Sequence, residues 1–319
     1  MSMPPPLPVK NGVGPTRLRI PTSGPWATIA EYVVAKFDHL DADSLYRRFD
    51  DGGFVGIDGR PIARGTEAGG HEFLWYYREL PNEIPVPFRE EILLVDDDLV
   101  VVDKPHFLPT IPGGRYLHES ALVRLRVRLD NPDLTPIHRL DRGTAGLVMF
   151  SARPATRGAY QTLFAKRQVT KVYEAVSTLP LEWDQDAPAL AGQDLPLVCR
   201  NHIESRRGEF RAIVDDAREP NSETLIELLA AGVSASGRAV LHTVLHPHTG
   251  RMHQLRVHLA ALGVGILGDS WYPDLLPEKP DDHSLPLQLL AREVDFTDPL
   301  SGQPRRFTTR RTLSEMPVP

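Results

Sequence analysis

The chain has a single cysteine, Cys199, in 319 residues. No intramolecular disulfide can form and no cysteine-rich zinc site can be built, which fits a reducing, cytoplasmic setting. No apolar stretch approaches the ~20 residues of a membrane span. At the N-terminus, Pro4-Pro5-Pro6 stand where an export signal needs an apolar core. Cations are not in excess either: the net charge is -6, which gives no global sign of nucleic-acid binding. What is missing locally tells more. From Arg142 through Tyr173 there are six Lys or Arg and no acid. From Leu228 through Gly268 there is again no acid, with three Arg and five His, and Arg305 to Arg311 adds four Arg. The acids gather elsewhere, as in Glu90–Asp98 and Asp215–Glu219. Such clustering marks candidate docking faces for an anion, against the plainer reading of a mosaic surface.

The length and the 41% hydrophobic content suggest two domains with a sizeable core. Residues 1–25 are rich in Pro and Gly and basic, an arm or a strand laid on a later domain. Residues 26–82 read as a small module. Ala27–His39 has apolar residues at helical spacing, Asp41–Phe49 looks like a capped second helix, and Phe54–Arg64 a hairpin around Asp58-Gly59. Pro81 to Pro87 reads as a linker, and residues 88–319 as the main domain. There, Ile92–Asp103 predicts a hairpin, Ser120–Leu129 a helix, and Arg153–Arg167 a helix opened by Pro154. Val169–Ser177 alternates as a strand with Lys171 and Tyr173 on one side. Thr224–Leu229 and Ala239–Leu245 are further strands, and Arg251–Leu262 a helix with Thr249 as N-cap and Gly263 as its stop. Many short strands without regular strand–helix alternation predict an α+β fold.

Residues 136–150 read P-I-H-R-L-D-R-G-T-A-G-L-V-M-F. One carboxylate, Asp141, stands between Arg139 and Arg142, ahead of a Gly-Thr-Ala-Gly turn and an apolar run. Arginine keeps a neighbouring carboxylate ionised, and a partly shielded carboxylate is a candidate nucleophile. A second constellation, H-P-H-T-G-R-M-H-Q-L-R-V-H-L, begins at His246. On a helix His253 and Arg256 would be neighbours. Arg251 at a helix start opposes the dipole and wants an anionic partner, either a phosphate or Asp141. The histidines lack the i, i+4 pair and the acid of a helical zinc site, so capping, phosphate contacts or packing suit them better than metal. Tyr173 on its strand is either half-buried packing or a ring beside Asp141.

With these residues in view, the chain resembles the RluA-type pseudouridine synthases of the wider RluA/RsuA family. I-H-R-L-D-R-G-T-A-G-L at 137–147 resembles the family's HRLD-x-x-TSGL signature. K-V-Y-E-A at 171–175 resembles its K-x-Y-x-A. T-G-R-M-H-Q-L-R-V-H-L at 249–259, running on to Gly268-Asp269, is similar to its TGR-x-HQ-x-R block. A weaker match is L-L-A-R-E-V-D-F at 289–296. Ala145 and Leu290 depart from the usual serine and histidine.

The resemblance implies a mixed, largely antiparallel sheet with flanking helices and a central RNA-binding cleft, plus a small N-terminal α/β module. That module faintly resembles the ribosomal-protein-S4-type RNA-binding domain in degenerate form, its basic helix reduced to Arg47 and Arg48. The implied activity is isomerisation of uridines in ribosomal or transfer RNA by base flipping, without cofactor or metal. The implied partner is structured RNA, with no DNA, no membrane and no need of a second subunit. The catalytic residues would be Asp141, Tyr173 and Arg251, the last ion-paired with Asp141. Arg139, His138, Lys171, His253 and Arg256 would bind substrate, Arg139 filling the space the base vacates. A binding protein without turnover would not need all the catalytic positions. A metal-dependent hydrolase built on the histidines would need metal, and a glycosidase would want a second carboxylate in the motif.

Overall fold

The structure, a computed structural model, describes residues 5–318 except 81, 181, 187, 207, 278 and 279. Residues 1–4 of the basic arm and Pro81 of the linker therefore lie outside the described residues. The chain divides into two compact units. The first comprises Met1–Ile84, Pro112–His118 and Val123–Pro132; the second comprises Pro85–Ile111, Glu119–Leu122 and Asp133–Pro319.

The first unit is built on β1 (Thr16–Arg19), α1 (Ile29–Lys36), α2 (Ala42–Asp50) and β2 (Phe73–Tyr76). Thr28 caps α1 through the Glu31 N–H, and Asp41 caps α2 through the Ser44 N–H at 2.8 Å. Ile29, Val33, Leu45, Phe49, Phe54 and Leu74 make its core. Within the arm, β1 pairs antiparallel with β2. The Phe54–Arg64 hairpin is a tight one: Gly56 N–H bonds Arg60 O at 2.9 Å, with Gly59 in the left-handed region at φ 74°. Of the two cations on α2, Arg48 donates to Tyr77 O and packs over the Phe54 and Tyr76 rings, while Arg47 lies beside Asp41. Arg48 is thus occupied in holding its own unit together.

The second unit is α+β. Its strands are β3 (Glu91–Val95), β4 (Leu99–Lys104), β5 (Thr135–Pro136), β6 (Ala145–Ser151), β7 (Val169–Thr178), β8 (Ala189–Leu190), β9 (Gln193–Asp194), β10 (Leu197–Asn201), β11 (Ile203–Ser205), β12 (Ala212–Val214), β13 (Ser222–Val233), β14 (Ala239–Pro247), β15 (Leu289–Thr297) and β16 (Pro304–Thr308). Its helices are α4 (Pro154–Ala165) and α5 (Gln254–Ala261); α3 (Ala121–Arg128) lies mostly in the first unit. Ten strands form one sheet in the order β10, β13, β14, β7, β15, β6, β4, β3, with β16 added to β15 and β5 to β6. Every pairing is antiparallel except β6 with β15.

The apolar run after Asp141 is wholly buried as β6, between β4 and β15. Where β6 begins, Gly146 has φ 105°, and an added Cβ would lie 2.2 Å from Ala291 O. The second glycine of the Gly-Thr-Ala-Gly turn is therefore demanded by the close approach of β15. Pro154 opens α4 in its first turn, as its lack of an N–H predicts.

One expected boundary is corrected. The helix expected over Arg251–Leu262 starts only at Gln254, and its cap is His253 in a left-handed conformation (φ 55°), not Thr249. The Gln254 side chain explains the delay. Its Oε1 accepts from Thr249 Oγ1 at 2.7 Å and from the Arg251 N–H at 3.0 Å, and its Nε2 donates to Glu223 O and Thr224 Oγ1. The amide holds residues 249–253 as an irregular turn outside the helix.

Candidate active site

The sheet order sets β6 and β7 two strands apart, with β15 between them. At about 4.8 Å per strand, the turn entering β6 and the centre of β7 lie roughly 10 Å apart. Asp141 is in that turn, and Lys171 and Tyr173 are on one face of β7. Both sides line a cleft of about 950 Å³ within the second unit, together with Arg139, His138, Arg142, Arg167, Arg251 and His253. Asp141 is the one acid among its lining residues, against four arginines and Lys171.

The Asp141 carboxylate meets α5. Arg256 Nη1 stands 3.4 Å from Oδ2 and His253 Nε2 3.8 Å from Oδ1. The other edge of the buried Arg256 guanidinium makes a two-point bond to Asp269, with Nε at 2.7 Å and Nη2 at 2.6 Å. The Asp269 side chain is fully buried and also accepts the backbone N–H groups of Trp271 and Tyr272 at 2.8 and 3.1 Å. Burial opposes the charge on Arg256, but the bond to Asp269 and the charges of Asp269 and Asp141 more than offset it. Arg256 is thus a fixed cation, aimed by one carboxylate at another.

The pairing expected between Arg251 and Asp141 is corrected here. Arg251 is exposed, and its Nε donates to Asn221 O at 3.1 Å. Because the helix begins at Gln254, Arg251 falls in the turn before it, while Arg256 occupies the first helical turn facing Asp141.

The backbone on both sides of Asp141 is gripped by residues 104–110, the segment that follows the hairpin expected over Ile92–Asp103. Thr110 Oγ1 donates to Leu140 O at 2.8 Å and accepts from the Leu140 N–H at 3.1 Å. Lys104 Nζ, fully buried, donates to Pro105 O, Leu108 O and Arg142 O at 3.0, 2.8 and 3.4 Å. His106 Nδ1 lies 2.6 Å from Gly143 O; a carbonyl only accepts, so this nitrogen carries the proton. Burial pushes the Lys104 pKa down to about 7, with the Asp141 charge opposing the drop. The available signal was a lysine closing the apolar run of β4. Thr110→Val should leave two buried backbone groups of Leu140 unpaired and loosen Asp141. We expect kcat to fall about a hundredfold with KM nearly unchanged, and Thr110→Ser to restore it. A Val variant with wild-type kcat would remove Thr110 from the positioning of Asp141.

On the opposite wall, Tyr173 is half-buried, and burial followed by the charge of Asp141 raises its pKa well above the ordinary phenol value. Lys171 Nζ donates to Thr249 O at 3.2 Å; burial and Arg167 lower its pKa. His138 Nε2 accepts from the Met149 N–H at 3.2 Å and its ring stacks on Phe164, so much of the ring is engaged in supporting β6. Arg139 is exposed and makes no ion pair among the described residues. Three histidines are held neutral by burial, His138 at about 3 and His106 and His258 at about 4. The unfolded chain protonates these rings near pH 6.5 and the folded chain only near 3–4. Stability is therefore present above pH 6.5 and is lost as the pH falls, by about 1.4 kcal/mol per unit for each ring. Thermal unfolding at pH 7, 6 and 5 should show a falling Tm; a constant Tm would contradict neutral burial.

The remaining basic stretch is not a free surface. Arg305 pairs with Asp96 and Asp298, Arg306 with Glu293, Arg310 with Glu91 and Arg311 with Asp103. In the cleft, Arg142 pairs with Asp281 at 2.7 Å, while Arg139, Arg167, Arg251 and Lys171 make no ion pair among the described residues.

Comparison with known proteins places the chain in a family. Residues 98–261 match the family model described as RNA pseudouridylate synthase. The dual-specificity RNA pseudouridine synthase RluA of Salmonella typhi is 32% identical over 218 residues, covering 68% of this chain and 90% of that protein. RluA of Escherichia coli (strain K12) is 32% identical over the same length. An uncharacterized RNA pseudouridine synthase of Synechocystis is 26% identical over 250 residues, covering 76% of this chain and 78% of its own. The solved structure of human RNA Pseudouridylate Synthase Domain Containing 1 shares the fold. It has a TM-score of 0.53 at 23% identity, covering 70% of this chain and 84% of that one.

Proposed function

The chain belongs to the RNA pseudouridylate synthase family, and from that premise we propose that its cleft isomerises specific uridines of ribosomal or transfer RNA with Asp141 as the nucleophile. The observation that carries the residue assignment is the lone carboxylate in a cation-lined cleft, held between Arg256 and the Thr110–Lys104–His106 grip. The target base must first leave its stack, at a cost of a few kcal/mol. Arg139, exposed at the cleft, is suited to fill the space it leaves. Asp141 then attacks the anomeric carbon or the uracil ring. On the sugar route the N1–C1′ bond breaks through an oxocarbenium-like state that a carboxylate stabilises. The base turns over, C5 bonds to C1′, and the C5 proton is released as N1 gains one. No atom is gained or lost, and no cofactor or metal enters.

Arg256 takes the role of charge partner to Asp141, and Arg251, exposed in the turn before α5, that of a phosphate contact. Tyr173 is suited to stack on the flipped base. A phenol whose pKa is raised keeps its proton at neutral pH, which argues against its serving as a base while Asp141 is charged. Lys171 and His253 line the same space and would contact the ribose or the base. Residues 88–319 would carry the reaction, as a monomer in the cytoplasm, with residues 26–82 an auxiliary S4-like module. Mapping pseudouridines in total RNA from cells with and without the gene tests this. A uridine modified only when the gene is present is expected, and identical maps would overturn the reading.

A further inference from the structure

We propose that the ring of Phe210 is a stacking platform for an unpaired nucleobase of the RNA, next to the uridine that enters the cleft. This rests on the reading above and adds a second base site to it. Phe210 stands in the loop between β11 and β12, and Ser205, the last residue of β11, lines the cleft. Single exposed apolar side chains are ordinary. What sets this one apart is where it leads.

Phe210 is 55% exposed, and its ring rests on Trp271 with centroids 5.3 Å apart. Trp271 in turn packs on the His253 ring at 5.1 Å and takes the Arg256 guanidinium over its face at 4.9 Å. His253 and Arg256 stand 3.8 and 3.4 Å from the Asp141 carboxylate. A continuous series of rings thus runs from the candidate nucleophile to the surface and ends on Phe210.

The loop is anchored immediately after that ring. Arg211 donates to Pro273 O at 2.8 Å and lies over the Tyr272 ring at 4.9 Å. The Ala212 N–H donates to Tyr272 Oη at 2.6 Å. Residues 211 and 212 are held against the same segment that aims Arg256, so the ring is presented on a fixed support. Arg211 follows it directly, Glu209 precedes it, Arg206 pairs with Glu204 at 3.5 Å, and the adjoining cleft is lined by cations. An exposed aromatic with neighbouring cations suits a nucleobase and its phosphates, since every base offers a π face.

The test uses the full chain and two labelled probes, a single-stranded decauridine and an abasic ribose-phosphate chain of equal charge, with binding read by fluorescence anisotropy. Stacking on an aromatic side chain contributes enough that Phe210→Leu should weaken decauridine binding about tenfold. The same variant should leave the abasic chain unaffected, and Phe210→Trp should restore decauridine binding. Wild-type decauridine affinity in the Leu variant would overturn the platform and leave the ring as a contact for a protein or for nothing. Equal weakening of both probes would also overturn it, since the base would then play no part. The catalytic reading fails separately, if the wild-type protein forms no pseudouridine in RNA from cells lacking the gene.

Discussion

Arg256→Lys should lower turnover by about a hundred- to a thousandfold, while Arg251→Ala should leave kcat within a few-fold of wild type. The two arginines sit in one short motif, but only Arg256 reaches Asp141. Its guanidinium is gripped along one edge by Asp269, which leaves Nη1 directed at Asp141. A lysine keeps the charge but cannot make the two-point bond and the third contact together. Losing one preorganised electrostatic partner in a shielded site costs about two to three orders of magnitude in rate. Arg256→Ala is the poorer test, because it strands the buried Asp269 carboxylate at a cost of about 3–5 kcal/mol in stability. Arg251→Ala should act on RNA affinity and reduce the salt slope of binding by about one. Single-turnover rates and affinities measured across a salt series separate the two. Equal losses of kcat in both variants would contradict the assignment.

Asp141→Asn should bind RNA about as tightly as wild type and form no pseudouridine. The amide is nearly isosteric, so the turn held by Thr110, Lys104 and His106 should persist. It cannot supply the lone-pair density of a carboxylate to an electrophilic carbon. It also removes the negative charge from a cleft otherwise lined by cations, so affinity for the polyanion should not fall. Binding lost in parallel with turnover would point to a structural role for Asp141.

Much of the site could be read from short stretches of chain. The alternation of residues 169–177 placed Lys171 and Tyr173 on one face, and both line the cleft. The acid-rich turn between two apolar runs gave the β3–β4 hairpin, and Pro154 gave the start of α4. What could not be read was decided by pairs distant in sequence. Nothing local distinguishes Arg251 from Arg256; the choice depends on Gln254 bonding to Glu223 and Thr224 and so delaying the helix. Thr110 grips Leu140 across thirty residues, and Lys104 reaches Arg142 across thirty-eight. The four arginines after β15 read as a basic patch, yet their acids include Asp96 and Asp103, some two hundred residues earlier. Periodicity reports which face of a segment is buried, not which partner meets it there.

The most direct measurement is tritium release from [5-³H]uridine-labelled RNA, prepared from cells lacking the gene and incubated with purified wild-type and Asp141→Asn protein. Forming the carbon–carbon bond expels the hydrogen at C5, so each isomerised uridine releases one tritium. Wild type should release label in proportion to the target uridines, and the asparagine variant should release none above the protein-free control. Release by Asp141→Asn at a rate near that of wild type would contradict Asp141 as the nucleophile.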